Sequence, residues 1–123
     1  MLETGRTFTQ SMTVTEKDTA ASHGSGKLPV FATPALVALM ENTAVKCLEG
    51  GLEPGTDTVG IEINTKHIKA TAVGQTVNCK AVLTEIDGRR LHFELEAWDG
   101  KGAIGSASHD RFIINPVKFM SKL

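Results

Sequence analysis

The spacing of apolar residues along this chain changes twice. Between residues 34 and 48 it is helical. At 100° per residue Pro34, Val37, Val45 and Leu48 fall near one line, with Leu36, Met40, Ala44 and Cys47 beside it. Glu41 interrupts that line, a carboxylate where the pattern asks for a hydrophobe. Thr33 followed by Pro34 predicts the helix start, because a hydroxyl can cap free N–H groups and proline is tolerated at the first helical position. Gly50 and Gly51 predict the end.

On either side of the helix the period drops to two. Residues 7 to 15 alternate Phe8, Met12 and Val14 imperfectly with polar positions, which predicts a first strand. The polar, glycine-containing stretch that follows reads as a loop or short turns leading to Val30 and Phe31. After the helix, "GGLEPGTD" supplies turn residues and "TVGIEINTKHIKATAVG" begins a long extended segment. Regular alternation puts Val59, Ile61, Ile63, Thr65 and His67 on one face, and Gly60, Glu62, Asn64 and Lys66 on the other. Residues 75 to 86 form a third strand with Val77, Cys79, Ala81 and Leu83 inward. A tight turn at "DGR" leads to a fourth strand with Leu91, Phe93, Leu95 and Ala97 on one face, and "DGKG" marks a second hairpin. The last strand, residues 103 to 115, runs through Gly105, Ser106, Ala107 and Ser108 before Phe112, Ile113 and Ile114. Its small side chains permit close packing or leave room for something lying across the sheet.

Four consecutive antiparallel strands need one face covered, and only one helix is long enough to cover it. The predicted architecture is α+β, a long central helix wrapped by a curved antiparallel β-sheet in one domain spanning residues 1 to 123. The run from Ala35 to Met40 suits a helix buried nearly all round. One helix leaves a sheet edge uncovered, so a homodimer is expected.

Composition removes several functions. Thirteen Lys and Arg against 14 Asp and Glu give a net charge of -1, which exerts no long-range pull on nucleic acid or an anionic membrane. No apolar run approaches the roughly 20 residues of a membrane span, and "MLETGRTFTQ" lacks a signal-peptide core. A cytoplasmic protein is expected. Cys47 and Cys79 have neither disulfide density nor metal-ligand spacing, so free buried thiols and no metal are expected. Nor is there a glycine-rich phosphate loop.

Three polar residues remain in apolar surroundings. Glu41 is either a catalytic carboxylate or one that reaches solvent at the helix edge. His67 is a general acid or base, or a satisfied core histidine. Thr33 is a hydroxyl facing a site at a helix N-terminus, or simply a cap. Together they suit acyl transfer. His109 and Arg111, in "SHDR", share a face of the last strand as a structural pair or as contacts to a ligand or the partner subunit, whereas His23 reads as solvated in a polar loop and His92 as an outer-face strand residue.

The order Thr33, Glu41, His67, with Gly60 seven residues before His67, resembles the hot dog fold thioesterases of the fluoroacetyl-CoA thioesterase type. The resemblance runs from residue 7 to about 119. It is carried by "VFATPALVALMENTA", "GLEPGTDTVGIEINTKHIKATAVG", "LTEIDGRRLHFELEAWDG" and "IGSASHDRF". It implies hydrolysis of an acyl-CoA thioester at a dimer interface, with Thr33, Glu41 and His67 catalytic and Gly60 near the thioester. His109 and Arg111 would touch substrate, and Lys66, Lys69, Arg89 and Arg90 are candidates for CoA phosphates. CoA is then part of the substrate, and no separate cofactor is implied. The loop at 21 to 31 looks shorter than the lid of the specialised member, which leaves the acyl group open. The alternatives are a hydratase or dehydratase on acyl thioesters and a non-catalytic acyl-CoA-binding domain.

Overall fold

A computed structural model describes residues 1–123. Strand β1 (Thr7–Thr13) is followed by a 3-10 turn (Glu16–Asp18) and a one-turn helix α1 (Ala20–His23). The long helix α2 (Thr33–Cys47) comes next, then β2 (Asp57–His67), β3 (Thr76–Asp87), β4 (Arg90–Asp99), β5 (Gly102–Ile114) and a short α3 (Pro116–Ser121). The five strands make one antiparallel sheet in the order β1-β3-β4-β5-β2, and α2 packs on one face of it. This is the hot dog architecture. The expected inward residues of β3 and β4, Val77 to Leu83 and Leu91 to Ala97 in alternation, are all buried.

The helix is less enclosed than its sequence suggests. Ala35, Leu36, Leu39, Met40, Thr43, Ala44 and Cys47 face the sheet, while Val37, Glu41 and Val45 are half-buried and Ala38, Asn42 and Lys46 are exposed. One sheet covers one side of a helix, so the buried stripe is the one beside the line that Glu41 interrupts. Glu41 therefore lies at the margin of the core, its side chain 41% exposed. Close approach between α2 and the sheet depends on Gly105. A Cβ there would lie 2.5 Å from the Lys66 carbonyl oxygen and 3.1 Å from Leu36 Cδ2.

A β-bulge shifts the register of β2 against β5 between Gly60 and Glu62. The extra residue is Ile61, which is 54% exposed instead of facing the core. Thr58 and Gly60 before the bulge, and Ile63, Thr65 and His67 after it, therefore all face α2. Strict alternation had put Gly60 and His67 on opposite faces. Helix α3 also goes beyond the sequence reading, although its signal was present. Asn115 Oδ1 accepts from the Lys118 N–H at 3.1 Å and Pro116 opens the first turn. No helix is long and apolar enough to cross a membrane.

Candidate active site

Thr33 is the first residue of α2, and the N-cap is Ala32, in extended conformation. Because capping belongs to the position before it, the Thr33 hydroxyl makes no cap hydrogen bond. It points instead at the end of β2, where Thr33 Oγ1 lies 2.8 Å from His67 Nδ1. The other ring nitrogen, Nε2, is buried with no hydrogen-bond partner. Burial pulls His67 below its ordinary value of 6.5, partly offset by the backbone of Lys69. The ring stands edge-on to Phe31 at a centroid distance of 6.3 Å. Beside the pair is an open pocket of about 290 Å³ whose wall includes Val30, Phe31, Ile68 and Lys69.

The strap after His67 is pinned from below by Asp99. Its side chain is fully enclosed and accepts from Lys69 Nζ, Thr71 Oγ1 and the Lys101 N–H, each at 2.8 Å. The Lys69 ammonium leads the groups that hold the Asp99 carboxyl down at about 2. The Thr71 carbonyl in turn accepts from the Phe31 N–H at 2.9 Å, tying the strap to the chain entering α2.

Glu41 belongs to a second group, further along α2. Its Oε2 lies 3.8 Å from Arg111 Nη1. Arg111 is buried: Nε donates to Thr58 Oγ1 at 2.9 Å, Nη2 to the Thr58 carbonyl at 3.2 Å and Nη1 to His109 Nε2 at 3.2 Å. His109 Nδ1 lies 2.7 Å from the Glu62 carbonyl oxygen, at the bulge. These partners fix the tautomer. A carbonyl only accepts and a guanidinium only donates, so Nδ1 carries the hydrogen and Nε2 is bare. Burial is also the main cause that lowers the pKa of both His109 and Arg111. Gly60 completes the group. A Cβ there would lie 2.8 Å from Glu41 Oε2, 3.2 Å from Arg111 Nη1 and 3.3 Å from His109 Cε1.

Within one chain the two groups stay apart. Eight residues of helix separate Thr33 from Glu41, a rise of about 12 Å. Seven residues of strand separate Gly60 from His67, about 20 Å. Thr33 and His67 are brought together, as are Glu41, Gly60, His109 and Arg111, but neither set touches the other.

A family model described as fluoroacetyl-CoA-specific thioesterase matches residues 14–117. The chain belongs to this family. The fluoroacetyl-CoA thioesterase of Streptantibioticus cattleyicolor is 42% identical over 94 residues, covering 76% of this chain and 68% of that one. A crystal structure of a fluoroacetyl-CoA-specific thioesterase superposes with a TM-score of 0.92 at 34% identity, covering 99% of this chain and 95% of the other. A hot-dog-like protein from Thermanaerovibrio acidaminovorans, at 20% identity, has a TM-score of 0.90 over 98% of this chain and 90% of that one, and speaks to the fold alone. The protein is thus a thioester hydrolase of the acyl-CoA class.

Among the other candidates for this thioesterase, His23 is exposed on α1. His92 lies on the outer face between Asp110 and Glu94, whose hydrogen bonds raise its pKa against the opposing effect of burial. Of the basic residues, Lys69 is paired with Asp99, and Arg90 with Glu85, Asp87 and Asp110. Cys47 and Cys79 are free and buried. Two residues of the site went unread. Thr58 looked like an ordinary strand position, and Asp99 looked like the first residue of an Asp-Gly turn.

Proposed function

We propose that the chain hydrolyses acyl-CoA thioesters as a homodimer, with Thr33 and His67 of one protomer facing Glu41 and Gly60 of the other. The observation that supports this reading is the 2.8 Å pair of Thr33 Oγ1 and His67 Nδ1 opening on a pocket, two helical turns from the carboxylate expected to serve it. Strand β2 is a sheet edge that presents Ile61, 54% exposed, and is followed directly by Ile68, 68% exposed. Such an edge favours pairing with a second copy. An antiparallel β2–β2 pairing about a two-fold axis at Asn64 brings Gly60 of one chain alongside His67 of the other, with the bulge at Ile61 taking up the odd residue. Glu41, packed on Gly60, then enters the pocket that its own chain cannot reach.

In this arrangement Thr33 Oγ attacks the thioester carbonyl carbon while its proton passes to His67 Nδ1. The oxyanion is stabilised by the Gly60 N–H and by N–H groups at the start of α2. Collapse breaks the C–S bond and CoA leaves as the thiol with the proton from His67. Water then attacks the threonyl ester, giving a proton to Glu41; the acyl C–Oγ bond breaks, Thr33 Oγ takes that proton back from Glu41, and the carboxylic acid departs. Lys69 on the pocket wall, and Lys66 beside His67 on the outer face of β2, are the candidate cations for CoA phosphates. His109 and Arg111 form the floor below the acyl group. Two buried free thiols suit a reducing, cytoplasmic setting.

The test is release of free CoA thiol from a panel of short, fluorinated, branched, aromatic and long acyl-CoA substrates. Turnover of at least one, with a Thr33 adduct trapped by mass spectrometry, is expected. CoA binding with no thiol release across the panel would leave a binding module.

A further inference from the structure

The residues beneath Glu41 have more order than packing requires. A guanidinium with five N–H groups can rotate about its stem, and Arg111 is prevented from doing so on three sides. Thr58 takes two of its donors, one on the hydroxyl and one on the carbonyl, which defines the plane of the fork. His109 takes Nη1 on a bare ring nitrogen, and the ring is held bare at that atom because its other nitrogen must donate to the Glu62 carbonyl. That carbonyl lies where the β2–β5 ladder is interrupted by the bulge, so the irregularity that turns Gly60 toward α2 also supplies the acceptor that sets the histidine. Nη1, fixed in this way, is the guanidinium atom nearest Glu41, at 3.8 Å. Glu41 itself has a half-exposed side chain on a helix edge, with several rotamers open to it.

We infer that Thr58 and His109 are positioning residues, which hold the Arg111 guanidinium so that it orients the Glu41 carboxylate for hydrolysis. His109 acts as a fixed acceptor and not as a proton carrier. The inference rests on the catalytic reading of Glu41. It assigns Thr58, which contacts neither Glu41 nor the Thr33 pocket, a share in the rate.

A double-mutant cycle with Glu41 tests this, using thiol release from whichever acyl-CoA of the panel is turned over fastest. Thr58→Val removes the hydroxyl acceptor at constant shape. His109→Asn keeps a donor for the Glu62 carbonyl but cannot reach Arg111, whereas His109→Gln can present an acceptor near the old Nε2. We expect Thr58→Val and His109→Asn each to lower kcat roughly 10-fold or more with KM changed less than about 3-fold. Thr58→Ser and His109→Gln should restore kcat to within about 3-fold of wild type. In a Glu41→Gln background Thr58→Val should cause little further loss, because the group it orients is gone. Equal loss from Thr58→Val in both backgrounds, with Glu41→Gln alone impaired, would overturn the positioning role and leave the role of Glu41 intact. A folded Glu41→Gln enzyme at the wild-type rate would overturn both. Circular-dichroism melts accompany each variant, and a kcat loss that the Ser or Gln variant fails to rescue also counts against the inference.

Discussion

Gly60 and His67 face the same side of β2 although they stand an odd number of positions apart, because a bulge at Ile61 reverses the alternation between them. The strand thereby turns both ends of its inner face toward α2, one to Glu41 and the other to Thr33. The space that a side chain at residue 60 would fill is already taken by the Glu41 carboxylate.

Gly60→Ala should therefore damage activity more than stability. The tightest contact, 2.8 Å from the new Cβ, is the end of a half-exposed side chain that can swing away, and Arg111 Nη1 and His109 Cε1, at 3.2 and 3.3 Å, need give by only a few tenths of an ångström. The fold should survive with a melting temperature lowered by only a few degrees, about 1 kcal/mol, while kcat falls at least 10-fold. Thermal melts read beside thiol release check this, and a proportionate loss of both would refute it.

At Thr33 the structure separates two roles that the sequence left together. An N-cap hydroxyl contributes about 1 kcal/mol, but the cap here is Ala32. Thr33→Ala should thus change stability by less than about 0.5 kcal/mol while abolishing most turnover, and Thr33→Ser should retain a good part of it. Denaturant melts with kinetics decide the matter, and a capping-sized loss of stability at unchanged kcat would reverse the assignment.

The proton acceptor sets the pH dependence. Burial holds His67 below 6.5, so the neutral form that can accept the Thr33 proton persists at lower pH than for a free histidine. The acid limb of kcat/KM should lie below pH 6.5 and should survive in His109→Gln, since His109 passes no proton. A limb above 6.5, or one removed by His109→Gln, would contradict the assignment.

Asp99 makes the site's support measurable by linkage. Its carboxyl is lowered from 3.8 to about 2, so its stabilising effect is complete above 3.8 and is lost as pH falls toward 2. Asp99→Asn should cost about 1 to 3 kcal/mol at neutral pH, and the gap to wild type should close between those two values. Melting temperatures across that range test it, and a gap that stays constant would show that the Lys69 and Thr71 bonds do not depend on the charge.

Most of the sheet was legible in the sequence. The alternation through Val77, Cys79, Ala81 and Leu83, and through Leu91, Phe93, Leu95 and Ala97, is regular because each strand has one buried face. The helix and both Asp-Gly hairpins were equally readable. The bulge was not, because Ile61 is a hydrophobe at an apolar position in the pattern, and only its pairing with β5 reveals that it is extra. Nor was the place of Glu41 at the margin of the core, because periodicity locates a stripe on a helix without saying which side one sheet will cover. The Thr33–His67 pair was foreseen as a grouping of residue types. The separation of Glu41 from it depends on lengths of helix and strand that only the packed structure converts into distance. The same is true of Thr58 and Asp99, whose partners lie 53 and 30 residues away.

A shared active site requires the two groups of residues to meet across a dimer, and complementation measures that directly. Glu41→Gln and His67→Ala are made separately, each with a different affinity tag, co-expressed, and the mixed dimer purified. Each parent homodimer should fold and lose activity by about 10²-fold or more. The mixed dimer has one site with both His67 and Glu41 intact and one with neither, so it should regain about half the wild-type rate per dimer. A mixed dimer as inactive as its parents, or a chain that sediments as a fully active monomer, would contradict the shared site.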